Sequence, residues 1–416
     1  MPIKSTEHEI FSLIETELSL NYAEDSFKMR NFSTDSGFGV RVLNDKKLGF
    51  SYCSGEDEVK TTISKAKLLS RHSVESDFSF VPKSSYPHLN TFDEKIAEMD
   101  ESFLRDMSTQ INDLVKKQGR KSRIYSSLSN EQVKLENTCG FFGEYKKTYA
   151  DFFVEAMYGE GYGYSSYNGC RLPKDIPALA DESIQMAKQM KNAKKLETGT
   201  YTVVFSVESI SSLFEALMPS LSGHWKRKKI STLCDKLGQK IISEKITVHD
   251  DPLIELSSCV PFDDEGTKSS KQTIFDKGVL KRFLFDRESA ALDHQKSSGF
   301  CSRATYSSSP QVGTSNISID SGNYTRFEDE LGDFLFVKSL HGTHTSNTTT
   351  GDFGVEISAS IYNTNKGKIQ SPKRGFIISD NIFNLLNKVI GLEKERQIHA
   401  DFFSPRIAFS NIKVVS

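Results

Sequence analysis

The chain has 416 residues, of which 37% are hydrophobic and 26% are charged, and its formal net charge is −2. This is an ordinary globular profile without the surplus of positive charge that favours nucleic acid as a partner, and its length predicts two domains rather than one. The N-terminus has no apolar leader and no run approaches the roughly 18 apolar residues of a spanning helix, so we expect a cytoplasmic protein with no membrane partner.

The first half is predicted to mix helices with strands. Apolar residues recur at helical spacing over residues 5–20, 57–69, 94–115 and 178–193. Two strand-like runs with a polar turn predict a β-hairpin over residues 37–52. Alternating stretches then predict strands between residues 121 and 166.

The second half is predicted to consist mostly of strands. Polar residues 194–199 indicate a boundary, which gives one domain over residues 1–197 and another over residues 198–416. Beyond it, strands are predicted over 201–207, 279–285, 334–340, 353–362 and 375–379, with helices over 208–218 and 381–390. We therefore predict an α+β fold with a mixed α/β N-terminal domain and a sheet-rich C-terminal domain.

Complete catalytic motifs are absent from the sequence. There is no P-loop, no GxSxG elbow, no HExxH and no GxGxxG after a strand. Gly159, Gly161 and Gly163 have the wrong spacing for a phosphate cradle and indicate a flexible turn. The six cysteines are far apart and form no CxxC pair, which favours reduced thiols over disulfides or a zinc knuckle.

The only close histidine pair is His341 and His344, with Asp352 shortly after it. Two imidazoles and a carboxylate could in principle supply three zinc ligands. However, this segment is rich in Gly, Thr, Ser and Asn, and histidines in such surface loops more often donate ordinary hydrogen bonds. We therefore predict no metal site in this chain.

Two charge runs have an ordinary and a functional interpretation. Residues 224–229 form a basic cluster that contains the one tryptophan and could bind phosphates by counterion release and stacking. A single cluster beside 55 acidic residues is, however, more typical of a solvated loop or the rim of a protein contact. Residues 263–265 form an acidic run that could bind a cation, although Asp and Gly beside strand-like residues more often mark a turn.

Residues 201–219 pass from a strand into a helix. Ser206 is a plausible N-cap, and Glu208 lies in the first turn, where the helix dipole favours a carboxylate. One apolar face follows at Ile210, Leu213, Phe214 and Leu217, and Pro219 ends the helix. Taken alone, this pattern is typical of a core helix.

Several segments, by their order and spacing, resemble the TldD/PmbA family, whose members have been called modulators of DNA gyrase. They are residues 37–42, 262–267, 299–303, 350–353 and 381–391. The resemblance implies that TldD-type members carry HExxxH in the strand-to-helix segment, where two histidines and a C-terminal cysteine hold zinc and the glutamate is the general base. Here the motif falls on Phe214, Glu215 and Pro219, so only the glutamate remains, and residues 396–405 contain no cysteine.

This loss resembles the PmbA/TldE branch, which implies a subunit without zinc that pairs with a TldD-type subunit holding the zinc. The heterodimer would act on peptides and on unfolded or small proteins, and the isolated chain could form a homodimer. Without a metal, Glu215 is either an exposed helix residue or the remnant of a general base. The predicted substrate-binding residues are His341, His344, Asp352, Asp263 and Glu265. The alternative is a non-enzymatic regulator of DNA gyrase or another protein, for which the basic cluster is the sequence support.

Overall fold

A computed structural model of the protein describes residues 6–118, 121–364 and 366–416. These residues form an antiparallel N-terminal sheet and a larger mixed C-terminal sheet, each with its own helices. The predicted α+β class is thereby confirmed. Among the described residues, no helix combines the length and apolar character needed to cross a membrane.

The N-terminal sheet has the strand order β3-β2-β1-β4-β5-β6, and its neighbouring strands are antiparallel. Its strands are β1 (Glu7–Ala23), β2 (Ser26–Asn44), β3 (Lys47–Cys53), β4 (Lys121–Asn137), β5 (Phe142–Tyr158) and β6 (Gly161–Gly169). The helices of this half are α1 (Val59–Leu69), α2 (Glu94–Glu98), α3 (Glu101–Lys117) and α4 (Pro177–Met190). The hairpin predicted over residues 37–52 is confirmed as β2 and β3.

The two faces of this sheet have different neighbours. Helix α1 packs on one end of the first face through Ala66, and α3 and α4 cover the other end through residues such as Leu104 and Ile184. On the second face, Phe11 and Leu13 belong to an apolar cluster with Phe262 of the C-terminal half. The second face therefore joins the two halves of the molecule.

The helix predicted over residues 5–20 is wrong, because this segment belongs to β1 from Glu7 onward, while residue 5 lies outside the described residues. Ile10 contributes to one face of the sheet, while Phe11 and Leu13 contribute to the other. Since both faces are covered near the start of β1, apolar residues occur on both, and their spacing imitates a helix. The single helix predicted over residues 94–115 is also interrupted, since Asp100 caps a separate helix α3 by accepting a hydrogen bond from Ser102 N at 2.9 Å.

The glycines predicted to form a flexible turn have a packing role instead. Gly159 does lie in the β5–β6 turn with φ at +59°, but Gly161 and Gly163 are strand residues. A Cβ on Gly163 would lie 2.2 Å from the carbonyl oxygen of Ser183 in α4. Glycine therefore lets the backbone of β6 approach that of α4.

The C-terminal half contains a large mixed sheet, a separate two-stranded sheet of residues 301–302 and 311–312, and several short helices. Its strands are β7 (Gly199–Phe205), β8 (Val248–Asp250), β9 (Gln272–Asp276), β10 (Val279–Leu280), β11 (Cys301–Ser302), β12 (Gln311–Val312), β13 (Ile317–Ile319), β14 (Phe334–His341), β15 (Asp352–Thr364), β16 (Ile369–Lys373), β17 (Phe376–Asn381), β18 (Val389–His399) and β19 (Phe402–Val415). Its helices are α5 (Val207–Leu217), α6 (Gly223–Arg227), α7 (Arg287–Leu292), α8 (Phe327–Glu330) and α9 (Ile382–Asn387). The strand predicted over residues 279–285 is shorter than expected, since β10 is limited to Val279–Leu280 and Leu284 forms only an isolated bridge with Ser222.

Strand β19 lies at the centre of this sheet. It pairs with β7, β13, β17 and β18, and its residues Ile407 and Phe409 belong to the main apolar core. Helix α5 packs against the same strand and contributes Leu213 and Leu217 to that core. The largest hydrophobic cluster therefore holds the strand-to-helix segment in place.

A buried ion-pair network links the two sheets. Arg41 of β2 contacts Glu9 of β1 at 2.9 Å and Glu265 of the C-terminal half at 2.5 Å. Arg303 approaches the same Glu9 at 2.7 Å. All four side chains are nearly inaccessible to solvent. The network therefore fixes the second face of the N-terminal sheet against the loops around Glu265.

Candidate functional site

Helix α5 forms as the sequence predicts, directly after β7. Ser206 caps it by accepting a hydrogen bond from Ser209 N at 3.1 Å, and its hydroxyl donates to the carbonyl of Lys338 at 2.6 Å. Ile210, Leu213 and other apolar residues of the helix are buried. The cap and the buried face together fix the direction in which the end of the helix, near Glu215, projects.

Phe214 lies inside the protein, where its ring packs edge-on against Phe402 with 5.4 Å between ring centroids. Phe402 opens β19, immediately after the turn of Ala400 and Asp401 that follows His399 at the end of β18. Thus the segment in which the family resemblance places a cysteine ligand does lie beside α5. Where these two segments meet, the side chains in contact are the aromatic rings of Phe214 and Phe402.

Glu215 and Pro219 line a cleft of about 660 Å³. We call this space the α5 cleft, and its other walls include His224 and Trp225 of the α6 segment, Asp286 and Glu288 around the start of α7, and the strip of residues 310–314. Trp225 supplies a large apolar surface, while carboxyl groups come from two separate segments, Glu215 of α5 and Asp286 and Glu288 around the start of α7. Such a cleft can hold an extended polar chain with an occasional large side chain.

Several titratable groups of the α5 cleft have shifted pKa values. Partial desolvation and the Asp401 carboxylate raise the pKa of Glu215, which stands exposed at the mouth of the cleft. Burial, with a contribution from Glu265, raises the pKa of Asp286 to about 6. Desolvation and the nearby Lys228 lower the pKa of His224, which favours the neutral imidazole. At a pH near 6 the carboxyl group of Asp286 is therefore divided between its protonated and ionised forms.

The zinc that the family resemblance implies does not fit the residues of the α5 segment. The phenyl ring of Phe214 has no lone pair for a metal, and Pro219 has no side-chain donor. Within the described residues, the one group of side chains close enough to share a metal is Asp263, Glu265 and Cys301, whose ligand atoms lie within 4.8 Å of one another. Both carboxylate oxygens of Glu265 are already bonded, one to Arg41 and one to Arg287 N. Of this group, Glu265 belongs to the ion-pair network, and Asp263 accepts backbone hydrogen bonds within its own turn.

His341, His344 and Asp352 lie outside the lining of the α5 cleft. His341 ends β14, His344 lies in a short 3₁₀ turn, and both side chains are exposed. Hydrogen bonds from Asn381 and Thr350 lower the pKa of Asp352, which lines a different groove beside α9. The loop nevertheless packs next to the end of α5, because Ser220 Oγ donates to the carbonyl of Thr348 at 3.0 Å.

Asp263 and Glu265 form the predicted turn, but the structure buries them. Asp263 Oδ1 accepts hydrogen bonds from Glu265 N at 3.1 Å and from Thr267 N at 2.7 Å. The exposed fractions are 4% for Asp263 and 0% for Glu265. Glu265 therefore joins the two sheets, and it can reach a substrate only if this junction opens.

The sequence analysis missed the chemistry of the α5 cleft walls. The basic cluster is not a free patch throughout, because Lys226 pairs with Asp293 at 2.6 Å while His224 and Trp225 face the cleft. The position of Trp225, six residues after Pro219, was the one signal for this wall. No signal in the sequence pointed to Asp286 and Glu288, because only the tertiary fold brings α7 close to α5.

Comparisons with known proteins agree on one family. A family model described as the PmbA/TldA metallopeptidase C-terminal domain matches residues 198–416, and models of its domain 1 and central domain match residues 9–70 and 87–210. An uncharacterised protein of Methanocaldococcus jannaschii is 29% identical over 97% of this chain and 95% of its own length.

Two solved structures share the fold over almost the whole chain. TldE from Thermococcus kodakarensis superposes with a TM-score of 0.89 and 22% identity, over 99% of this chain and 97% of its own. A protein from Thermotoga maritima, described as a modulator of a DNA gyrase, gives a TM-score of 0.91 at 19% identity over 99% and 96% of the two chains. With a C-terminal family model that spans more than half of its length, this chain belongs to the PmbA/TldD metallopeptidase family.

Proposed function

We propose that this chain is the TldE-like subunit of a heterodimeric metallopeptidase, in which a TldD-type partner holds the zinc and supplies the general base. The observation that carries the proposal is the Phe214–Phe402 ring contact in the position where the family motif calls for metal ligands. A buried aromatic pair is a stable substitute for a metal centre and leaves no room for an imidazole ligand. In this proposal Glu215 remains as an exposed side chain with no metal ion bound beside it.

In this proposal the α5 cleft contributes to the binding of a peptide or of an unfolded or small protein. Trp225 offers a broad surface for an apolar side chain, and the strip of residues 310–314 offers backbone groups to an extended chain. The loop from His341 to Asp352 stands beside the end of α5 and is proposed to guide the substrate toward the partner. We propose the cytoplasm as its location, and residues 1–197 and 198–416 as its two domains.

The test is reconstitution with a TldD-type subunit. Each subunit alone and the mixture are assayed for bound zinc and for cleavage of an unstructured peptide, and the oligomeric state is measured by light scattering. We expect this chain alone to bind no stoichiometric zinc and cleave nothing, while the mixture forms a heterodimer and cleaves. Stoichiometric zinc on this chain alone, or a partner whose activity is unchanged by its addition, would contradict the proposal.

A control separates the roles of the two glutamates in the pair. Glu215→Gln in this chain is expected to leave turnover within about twofold, because the general base belongs to the partner. Substitution of the motif glutamate in the partner is expected to abolish cleavage. If the mixture binds DNA gyrase but cleaves nothing, the alternative of a non-enzymatic regulator is favoured instead.

A further inference from the structure

A second pocket, of about 530 Å³, lies between the N-terminal sheet and the C-terminal half. We call it the sheet pocket. Its floor is formed by β1, β4 and β5 on the second face of the N-terminal sheet, next to the apolar cluster that contains Phe262. Its roof includes residues 301–305 and 314–315. Thr314 lines both this pocket and the α5 cleft, so the two spaces adjoin.

Three charged residues form a row across the floor of the sheet pocket. Glu15 of β1 is the register partner of Glu131 of β4, which is in turn the partner of Lys147 of β5. Since neighbouring strands are about 4.8 Å apart, the backbone positions of Glu15 and Lys147 are separated by roughly 10 Å. A carboxylate therefore stands at one end of the row and an ammonium at the other.

Lys147 is the unusual member of this row. The residue is only 2% exposed. Its ammonium interacts electrostatically with the carboxyl groups of Glu131 and Asp264, but among the described residues no hydrogen bond or ion pair within 4 Å joins it to either. The contact found for it is with the ring of Tyr149, 4.7 Å from the ammonium to the centroid. A buried ammonium is costly without an acceptor, and Lys147 faces a pocket with room for one.

The opposite end of the pocket is acidic. Glu15, Glu17 and Asp151 line it, and desolvation raises the pKa values of Glu15 and Asp151. Burial likewise raises the pKa of Glu131 to about 7. These carboxyl groups disfavour a ligand that carries only negative charge. A ligand that meets both ends needs an anionic group for Lys147 and a cationic group for the acidic end.

We propose that the sheet pocket binds a small zwitterion, a short peptide or a free amino acid, with its carboxylate on Lys147 and its ammonium beside Glu15. The volume of the pocket exceeds what one residue needs and can accommodate a dipeptide. This site belongs to the chain by itself and does not depend on the proposed peptidase role. If that role holds, the adjoining position makes the pocket a site for cleavage products or chain termini.

The experiment is calorimetric titration of the purified chain with four ligands. They are alanyl-alanine, its N-acetyl form, its C-terminal amide, and free alanine. We expect alanyl-alanine to bind, and each blocked form to bind at least about tenfold more weakly, because each leaves one buried charge unpaired. Comparing the affinities of alanine and alanyl-alanine shows whether the pocket prefers a free amino acid or a short peptide. Equal affinity for the free acid and the amide, or no binding at millimolar concentration, would overturn the proposal.

Two variants make the assignment specific. Lys147→Met is expected to weaken alanyl-alanine binding about tenfold and to abolish the preference for the acid over the amide. The matched control is Lys146→Met, the exposed neighbour on the opposite face of β5, which is expected to change nothing. Removal of the Lys147 ammonium breaks no hydrogen bond of the described structure but takes a positive charge from beside Glu131 and Asp264, so the thermal transition is used to check that the variant folds.

A second variant keeps the proposal falsifiable if Lys147→Met does not fold. Glu15→Gln is expected to reduce affinity for alanyl-alanine and leave that of the N-acetyl form unchanged. Loss of both affinities to the same extent would refute the proposed orientation. Peptide cleavage by the reconstituted heterodimer is measured separately, so a failure of this site and a failure of the proposed function can be told apart.

Discussion

Phe214 belongs to the hydrophobic core of the C-terminal half, and its side chain offers no ligand atom to a metal. The ring is 2% exposed and contacts Phe402, whereas Glu215 next to it is exposed. Neighbouring residues of one helix thus have opposite environments, since they project about 100° apart around its axis. This alternation could be read from the sequence, because Phe214 belongs to an apolar face with regular helical spacing.

We predict that Phe214→Ala destabilises the chain by about 3–5 kcal/mol, as is usual when a large buried ring is removed. Phe214→Leu should cost less because it leaves a smaller cavity. The measurement is urea unfolding followed by circular dichroism. The control is Ser212→Ala, a partly exposed position of the same helix, where a change below about 0.5 kcal/mol is expected.

For Trp225→Ala we expect a loss of substrate affinity without a loss of chemistry. In the reconstituted pair, KM should rise by about five- to tenfold for a peptide with large apolar side chains, because the ring supplies contact area in the α5 cleft. The kcat should stay within about twofold. A kcat that falls in step with kcat/KM while KM is unchanged would show that Trp225 acts in the transition state instead.

The buried Asp250 predicts a specific dependence of stability on pH. Burial, together with Asp251 and Asp401, raises its pKa to about 7, although a hydrogen bond from Ser315 N opposes the shift. The folded state therefore retains a proton that the unfolded state releases at lower pH. As pH rises from about 4 to about 7, the free energy of unfolding should fall by about 2–4 kcal/mol from this residue and then level off.

The measurement for Asp250 is urea unfolding at several pH values for the native chain and for Asp250→Asn. The variant should lack this part of the decline and should be more stable than the native chain at pH 8. Its amide oxygen can still accept the hydrogen bond from Ser315 N. Asp251→Asn serves as the control, and the idea fails if the two variants show the same pH profile.

At the scale of elements, the sequence predicted correctly the helices that are buried on one face, and it failed for a strand that is covered on both faces. Helices α1, α4 and α5 each bury one stripe, so their apolar spacing identified them. Strand β1 is covered on both faces near its start and was taken for a helix. The walls of the α5 cleft and the row from Glu15 to Lys147 could not be foreseen, because they depend on strand register and on contacts between distant segments.

We predict that Gly163→Ala destabilises the N-terminal sheet by about 2–4 kcal/mol, since the added methyl group would overlap the backbone of α4 and force β6 away from it. The effect is measured by thermal unfolding. Gly332→Ala is the matched control, because a Cβ at that position meets open space. Similar melting temperatures for the two variants would mean that β6 and α4 separate easily.

At the scale of the whole molecule, the buried charges between the two sheets are expected to have a large effect on the free energy of unfolding. Arg41→Met should lower the free energy of unfolding by about 3–5 kcal/mol, because Glu9 and Glu265 would remain buried without their shared partner. Arg71→Met, at an exposed position of the same half, is the control. A loss below about 1 kcal/mol would indicate that water replaces the guanidinium at this junction.

Strand β7 depends on neighbours that are made much later. It pairs in parallel with β14 and in antiparallel with β19, where Phe205 meets Ile407, a partner roughly 200 residues further along the chain. At a synthesis rate of about 5–20 residues per second, this apolar strand emerges from the ribosome tens of seconds before β19 can cover it. Nascent chains of this protein should therefore require chaperone protection during that interval.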